Sequence, residues 1–431
     1  DQLNDESGAI EAYRRLLELE PEDRRAQEQL KKRYVAAHAW DELEAFYAAT
    51  GKYDELIRTL ERVADAKDSE LEARIALLFR VARLWETKLN AADRAARAYE
   101  KVLTLDASNL QAAEALTPIY EQAGDAKKLA GAYEIRLANN EDSDERLIML
   151  REVALLYEEK LRNPAQAFDK FLEAFALDPS RDVLREDLER LAAKTKGLDR
   201  LFVAYAKAID DAAHPDDAHA LRLSYGRILS EAGRFEDAIA QYSAVWDDRV
   251  DDPAAIEALE ELYRRTENHA ELLRVLLRRS EIESNVNVRK QLAYSVAALY
   301  RDQLRDAERA IDAYRNIPLD FGDGEIEAYR CLEALYEQER RWEDLAKVVD
   351  HRIDLGPSSD EELAALRFRM AELLRLHLKD RERALSLYWE VLTVMPEHDG
   401  ALQALEGMLS DPELGGKAAS TLTDLNVAVN K

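Results

Sequence analysis

The chain has a single cysteine, Cys331, among 431 residues, so any disulfide needs a second chain and no covalent staple holds the fold. Proline and glycine are also scarce, at 10 and 14 residues. Together with 35% charged side chains, that scarcity implies extensive exposed helix surface. No apolar stretch reaches ~18 residues, which excludes membrane insertion by a helix, and no secretory apolar segment precedes the first periodic residues. The chain starts at Asp1 rather than Met, so a targeting segment could have preceded it. A reducing, cytoplasmic setting suits the lone thiol, and a secreted or periplasmic one is compatible as well. Positive charge is the other shortage. There are 61 basic against 88 acidic side chains, a net of −27, and no Lys/Arg cluster is free of interleaved Asp and Glu. A phosphate backbone needs a basic stripe, so nucleic acid is not an expected partner; basic or neutral proteins are favoured.

Repetition is abundant. Trp85, Tyr157, Leu229, Tyr300 and Leu374 sit in equivalent contexts at separations of 72, 72, 71 and 74 residues. A second series runs through Tyr13, Tyr99, Phe171, Tyr242, Tyr314 and Tyr388. A third runs through "LKKRY" at 30, "LTPIY" at 116, "LERLA" at 188, "LEELY" at 259, "LEALY" at 332 and "LEGML" at 405. Within each segment apolar residues return every three or four positions, the period of a helix. Four helices per ~72 residues account for all three series. Small residues recur where two helices must approach closely: Ala82, Ala154, Gly226, Ala297 and Ala371, and again Ala95, Ala238 and Ala384. Asn163-Pro164 and Asp252-Pro253 place a capping residue before a first-turn proline. Ser69 with Glu72, and Ser359 with Glu362, read as capping boxes.

In these residues the chain resembles the tetratricopeptide repeat family. The stretch "YGRILSEAGRFEDAIAQYSAV" follows the family spacing through Tyr225-Gly226, Leu229, Gly233, Ala238, Tyr242 and Val245. Residues 81–107 follow it with one extra turn residue, and Pro21, Pro179 and Pro396 occupy the closing position elsewhere. Alternate hairpins, at "WDEL" (40), "AKKL" (126), "LDRL" (198), "HAEL" (269) and "WEDL" (342), put Leu where the family has Ala. The resemblance covers most of residues 9–410. It implies an all-α fold, a right-handed α-solenoid of stacked antiparallel helix hairpins over residues 1–410, with 411–431 as an end cap or frayed tail. Each pair completes its core on its neighbour.

Departures from the period carry expectations too. Tyr34 to Tyr120 spans 86 residues, and "WDELEAFY" at 40 is nearly repeated by "YDELIRTL" at 53, so one short extra helix is expected near 40–56. Pro118 should bend or interrupt its helix; Pro318 should end its helix early, with "LDFGDGE" as the turn. Ile10 to Leu19 reads as the second helix of a pair. The chain would then be a segment of a longer solenoid, with an uncapped apolar edge on the helix of Tyr13.

The sequence lacks a catalytic constellation. His214 and His219 are five apart and would not share a helix face as a metal pair does. Asp320-Phe321-Gly322 stands without any companion kinase motif and reads as a turn. Cys331 lies in the apolar stripe "YRCLEALY" and reads as a small buried hydrophobe. No enzyme activity, cofactor or metal is therefore expected.

The resemblance implies a groove lined by first helices, with side chains two before and two after the first residue of each apolar-small pair. The first row is Phe79, Arg151, Leu223, Tyr294 and Phe368; the second is Arg83, Leu155, Arg227, Ala298 and Glu372. Aromatic and Arg side chains anchor interfaces, which singles out Phe79, Arg83, Arg151, Arg227, Tyr294 and Phe368 as candidates to bind a protein or peptide. No repeating Lys/Asn pair suits the carboxylate clamp of some family members. The expected function is a non-enzymatic interaction scaffold. The alternatives are an arm of a larger enzyme or signalling protein, and a solenoid that self-associates through its N-terminal edge. The Arg-over-Lys bias suits a GC-rich bacterial genome.

Overall fold

The structure is a computed structural model that describes residues 6–66 and 70–429, with side chains from 7 through 423. Among the described residues are 24 α-helices and no strand, and no helix is long and apolar enough to cross a membrane. The chain divides into two compact units, Asp1–Leu221 and Arg222–Lys431. Within each, helices stack as antiparallel hairpins against their neighbours in sequence. Leu71–Thr87 packs on Ala92–Leu105 in the first unit, and Val286–Asp302 packs on Ala307–Phe321 in the second. This is a solenoid of helix pairs.

Two kinds of return join the helices. In the wider one a backbone N–H reaches the carbonyl six residues back: Ala91 to Trp85, Asn163 to Tyr157, Asp306 to Tyr300 and Asp380 to Leu374, at 2.8 to 3.0 Å. The residue before each donor is left-handed, with φ of 47° at Asn90, 50° at Arg162, 54° at Arg305 and 59° at Lys379. The extra residue widens the end of the first helix. At Leu156–Lys160 and Leu374–Leu378 that end becomes a π-helical turn. The tighter return reaches five residues back. Arg234 donates to Leu229 at 2.8 Å beside Gly233, whose φ of 76° suits glycine.

The small-residue series marks closest approach: Ala82, Ala154, Ala297 and Ala371 are fully buried, as are Ala95, Ala238 and Ala384. Gly226 is tighter still, because a Cβ there would lie 2.8 Å from the Tyr242 ring. The aromatic series is buried at Tyr99, Phe171, Tyr242, Tyr314 and Tyr388 and only half-buried at Tyr13.

Caps form as expected at Asn163, Asp252 and Ser359, whose side chains accept from the N–H groups of Gln166, Ala255 and Glu362. The expected Ser69 box falls on residues outside those described. Helices Trp40–Thr50 and Tyr53–Ala64 occupy the near-duplicated segment, and Gly415–Val429 occupies the tail.

The helix Leu110–Ala123 continues through Pro118, whose missing N–H removes one bond from the ladder. Other expectations are corrected. Pro318 does not end its helix. Ala307–Phe321 continues past it because the missing N–H costs only the bond to the Tyr314 carbonyl, while the Pro318 carbonyl still accepts from Gly322 at 2.8 Å. Asp320 and Phe321 are thus helical, and the turn runs from Gly322 to Glu325, whose N–H donates to the Gly322 carbonyl. Cys331 is half-buried rather than buried, with Arg301 Nη1 3.5 Å from its sulfur.

Candidate functional site

The first helices carry the expected row, but its rings lean inward. Phe79 meets Tyr99 at a centroid distance of 5.7 Å, Tyr294 meets Tyr314 at 6.4 Å and Phe368 meets Tyr388 at 6.0 Å. Each partner lies on the second helix of the same hairpin, so every ring is half-buried against its own core and half-exposed. Phe368 also touches the His398 ring at 4.6 Å.

In the first unit Phe79 and Arg83 lie one turn apart on Leu71–Thr87, and exposed Arg151 lies on Ser143–Leu155. Tyr99 donates its hydroxyl to Glu86 at 3.1 Å. Burial first, and Glu86 second, push that hydroxyl up to about 12, while the positive charge of Arg83 opposes the shift. In the second unit Arg227 is exposed and paired with Glu231 at 3.0 Å. Tyr294 donates to Glu325 at 3.1 Å, and burial with that carboxylate raises it to about 12. Lys290 meets the other Glu325 oxygen at 2.8 Å, so the Tyr294 hydroxyl is already engaged and only its ring face is offered. Among the described residues no group of three or more His, Cys, Asp and Glu is placed to hold a metal ion.

A second surface, absent from the sequence reading, lies on second helices. In the first unit a cavity of about 720 Å³ opens between the end of Pro164–Leu177, the helix Leu198–Asp210 and the following residues as far as Leu221. Its floor is apolar, from Leu172 and Phe175 to Ala204 and Ala208. Val203, 69% exposed, and Leu177, 39% exposed, stand at its edge. The signal that could have revealed it is a column of the repeat in which alanine replaces arginine.

Residues 39–74 match the model of the tetratricopeptide repeat. No sequence among curated proteins matches the chain. Among solved structures, a chain of Naa15/Naa10 bound to HypK-THB is 14% identical, with a TM-score of 0.31, over 91% of this chain and 63% of that one. This chain therefore covers less than two thirds of that relative. YrrB, a TPR protein with an unusual peptide-binding site, is 16% identical over 47% of this chain and 98% of its own, with a TM-score of 0.27. A tetratricopeptide repeat protein from Parabacteroides merdae ATCC 43184 is 14% identical over 69% of this chain and 99% of that one, with a TM-score of 0.24. The chain is a tetratricopeptide-like helical-repeat protein.

Proposed function

We propose that the protein is a non-enzymatic interaction scaffold that holds a protein or peptide partner along the first helices of its hairpins. The supporting observation is the same braced ring on first helices of each unit, Phe79 in the first and Tyr294 and Phe368 in the second. Phe79, Tyr294 and Phe368 each rest on a tyrosine of their own hairpin and leave the rest of the ring in water. A ring braced in this way has little rotamer freedom left to lose when a partner covers it, so its buried area contributes efficiently to binding. In the first unit, exposed Arg83 and Arg151 add charge-assisted donors suited to carboxylates and carbonyl oxygens. A photo-crosslinking residue at Phe79, and separately at Phe368, followed by mass spectrometry, tests the reading. One defined protein should be captured, and Phe79→Ala with Arg83→Glu should cut its capture about tenfold or more at the first position. Recovery of no protein, alongside reproducible turnover of a small molecule by the purified chain, would overturn it.

A second reading, self-association, is favoured by the helix Glu6–Leu19. Its Tyr13 is half-exposed where the later members of its series are buried, and Leu16 and Leu19 are 37% and 81% exposed. A second copy docking there would cover them. Light scattering should then show mass rising with concentration, and Leu16→Glu with Leu19→Glu should abolish the rise. A constant monomer mass would remove the idea.

A further inference from the structure

We infer that the groove beside Leu198–Asp210 receives a basic amphipathic helix from a partner protein, with its apolar face on the groove floor and its Lys or Arg side chains against the rim. The inference rests on the scaffold reading, but it assigns a different surface: second helices rather than the row on the first ones.

The groove is apolar because its hairpin departs from its equivalents: the corresponding cavity of about 590 Å³ in the second unit is lined by Arg330, Arg352 and Glu362 instead. Aligned on the buried leucines Leu43, Leu129, Leu201, Leu272 and Leu345, the position seven residues further on is Thr50, Arg136, Ala208, Arg279 and Arg352, so arginine stands in three of the five and alanine only here. Where arginine stands, its stem occupies space beside the paired helix. Arg279 reaches Glu260, and Arg352 reaches Glu333 at 2.7 Å. The hairpin of Ala208 has a carboxylate at the corresponding place, Glu189, which instead accepts from the Tyr205 hydroxyl at 3.4 Å. With no guanidinium stem, Ala204 and Ala208 line one wall a helical turn apart, about 6 Å along Leu198–Asp210, and Ala212 follows just beyond the helix end. That spacing matches anchors i and i+4 on a docking helix. Alanine also lets another backbone approach closely.

The rim gives the charge of the occupant. Arg200 is drawn onto Asp169 at 2.7 Å, and Asp178 is taken up by Ser180 and Arg181. The remaining charged lining residues are Asp199, Asp211 and Asp217 against Lys207. An apolar floor under an acidic rim, in a chain of net charge −27, is complementary to leucines flanked by lysines or arginines and repels an acidic helix.

The test uses the full chain and three fluorescent 18-residue peptides: a Leu/Lys amphipathic helix, the same composition scrambled so that Leu spreads around the helix, and a Leu/Glu counterpart. Anisotropy should show saturable binding of the first alone, weakened by salt. Ala208→Arg, which restores the side chain of the equivalent hairpins, should weaken it about tenfold or more. Val203→Lys changes a position that is 69% exposed and should do the same without disturbing the fold. Asp199→Asn with Asp217→Asn should flatten the salt dependence. Unchanged affinity in Val203→Lys, or equal binding of the scrambled or Leu/Glu peptide, would overturn the inference. Crosslinking from Phe79 and Phe368 reports on the other surface. If it captures a partner while Val203→Lys leaves peptide affinity unchanged, the groove assignment alone fails. If it captures no protein while the peptide results hold, the first-helix reading alone fails.

Discussion

Arg352 donates from Nη1 to Glu333 Oε1 across 2.7 Å, and their side chains are only 7% and 2% exposed. The other Glu333 oxygen accepts from Arg369 at 2.7 Å, so one carboxylate ties together Ile326–Gln338, Trp342–Asp354 and Asp360–Leu373. Removing two charges from water costs nearly what their attraction returns, yet breaking such a pair leaves an uncompensated charge. Arg352 keeps Glu362 at 3.1 Å and Arg369 keeps Glu337 at 2.8 Å, so Glu333→Ala should lower the unfolding free energy of the second unit by about 3 kcal/mol, the low end for a broken buried pair. Glu333→Leu combined with Arg352→Met should cost far less than the two single changes added together. Urea unfolding, with hydrogen exchange along Ile326–Gln338 to localise the loss, measures both. Simple additivity would contradict the prediction.

Gly226 is the one glycine in a series of alanines, and the tight return after Leu229 accounts for it. With that turn one residue shorter, Tyr242 is drawn in until a Cβ at 226 would sit 2.8 Å from its ring. Gly226→Val should destabilise by about 1–3 kcal/mol through overpacking. Gly226→Ala should lose less, because alanine recovers about 1 kcal/mol of helix preference over glycine. Adding Tyr242→Leu to Gly226→Val should recover part of the loss in thermal melts. A second-site change that gives no recovery would place the strain elsewhere.

The solenoid is legible in the sequence because its packing rule is local and repeated. Ala82, Ala154, Ala297 and Ala371 recur at one period and are all fully buried, since a larger side chain would separate the helices. Pairings between helices are harder to read. Glu333 and Arg352 stand on different helices beside apolar stripes, where a charge reads as solvated surface. Only the parallel pair of Glu260 and Arg279 hints otherwise. The groove is invisible for a related reason, because Ala208 looks like one more helix-forming alanine until set against Arg279 and Arg352. For the candidate row, spacing identifies Phe79, Tyr294 and Phe368 but not their lean onto Tyr99, Tyr314 and Tyr388. That lean depends on how each hairpin closes.

The returns offer a reciprocal exchange. Gly124, at φ 68°, and Arg340, at φ 57°, do the same work: the next residue donates five positions back, Asp125 to Tyr120 and Arg341 to Tyr336. A left-handed conformation costs an L-residue about 1–2 kcal/mol, partly offset by the greater unfolded-state entropy of glycine. Arg340→Gly should stabilise by about 0.5–1 kcal/mol, and Gly124→Arg should destabilise by a similar amount. Denaturation midpoints that move in the same direction for both would refute the account.

The hydroxyls of Tyr99 and Tyr294 predict an alkaline weakness. Burial, reinforced by Glu86 and Glu325, raises both to about 12 in the fold, against about 10 for an unfolded tyrosine. The unfolded chain therefore loses these protons first. Their contribution to stability is fully present below about pH 10 and disappears as pH climbs through about 12. Tyr99→Phe with Tyr294→Phe should be less stable than the wild type at neutral pH, by about 0.5–1.5 kcal/mol for each lost hydrogen bond. Lacking the titrating groups, the variant should lose less between about pH 10 and 12. Urea midpoints of the two proteins should therefore converge across that window. A gap that stays constant would mean that these phenols are not what the alkaline transition titrates.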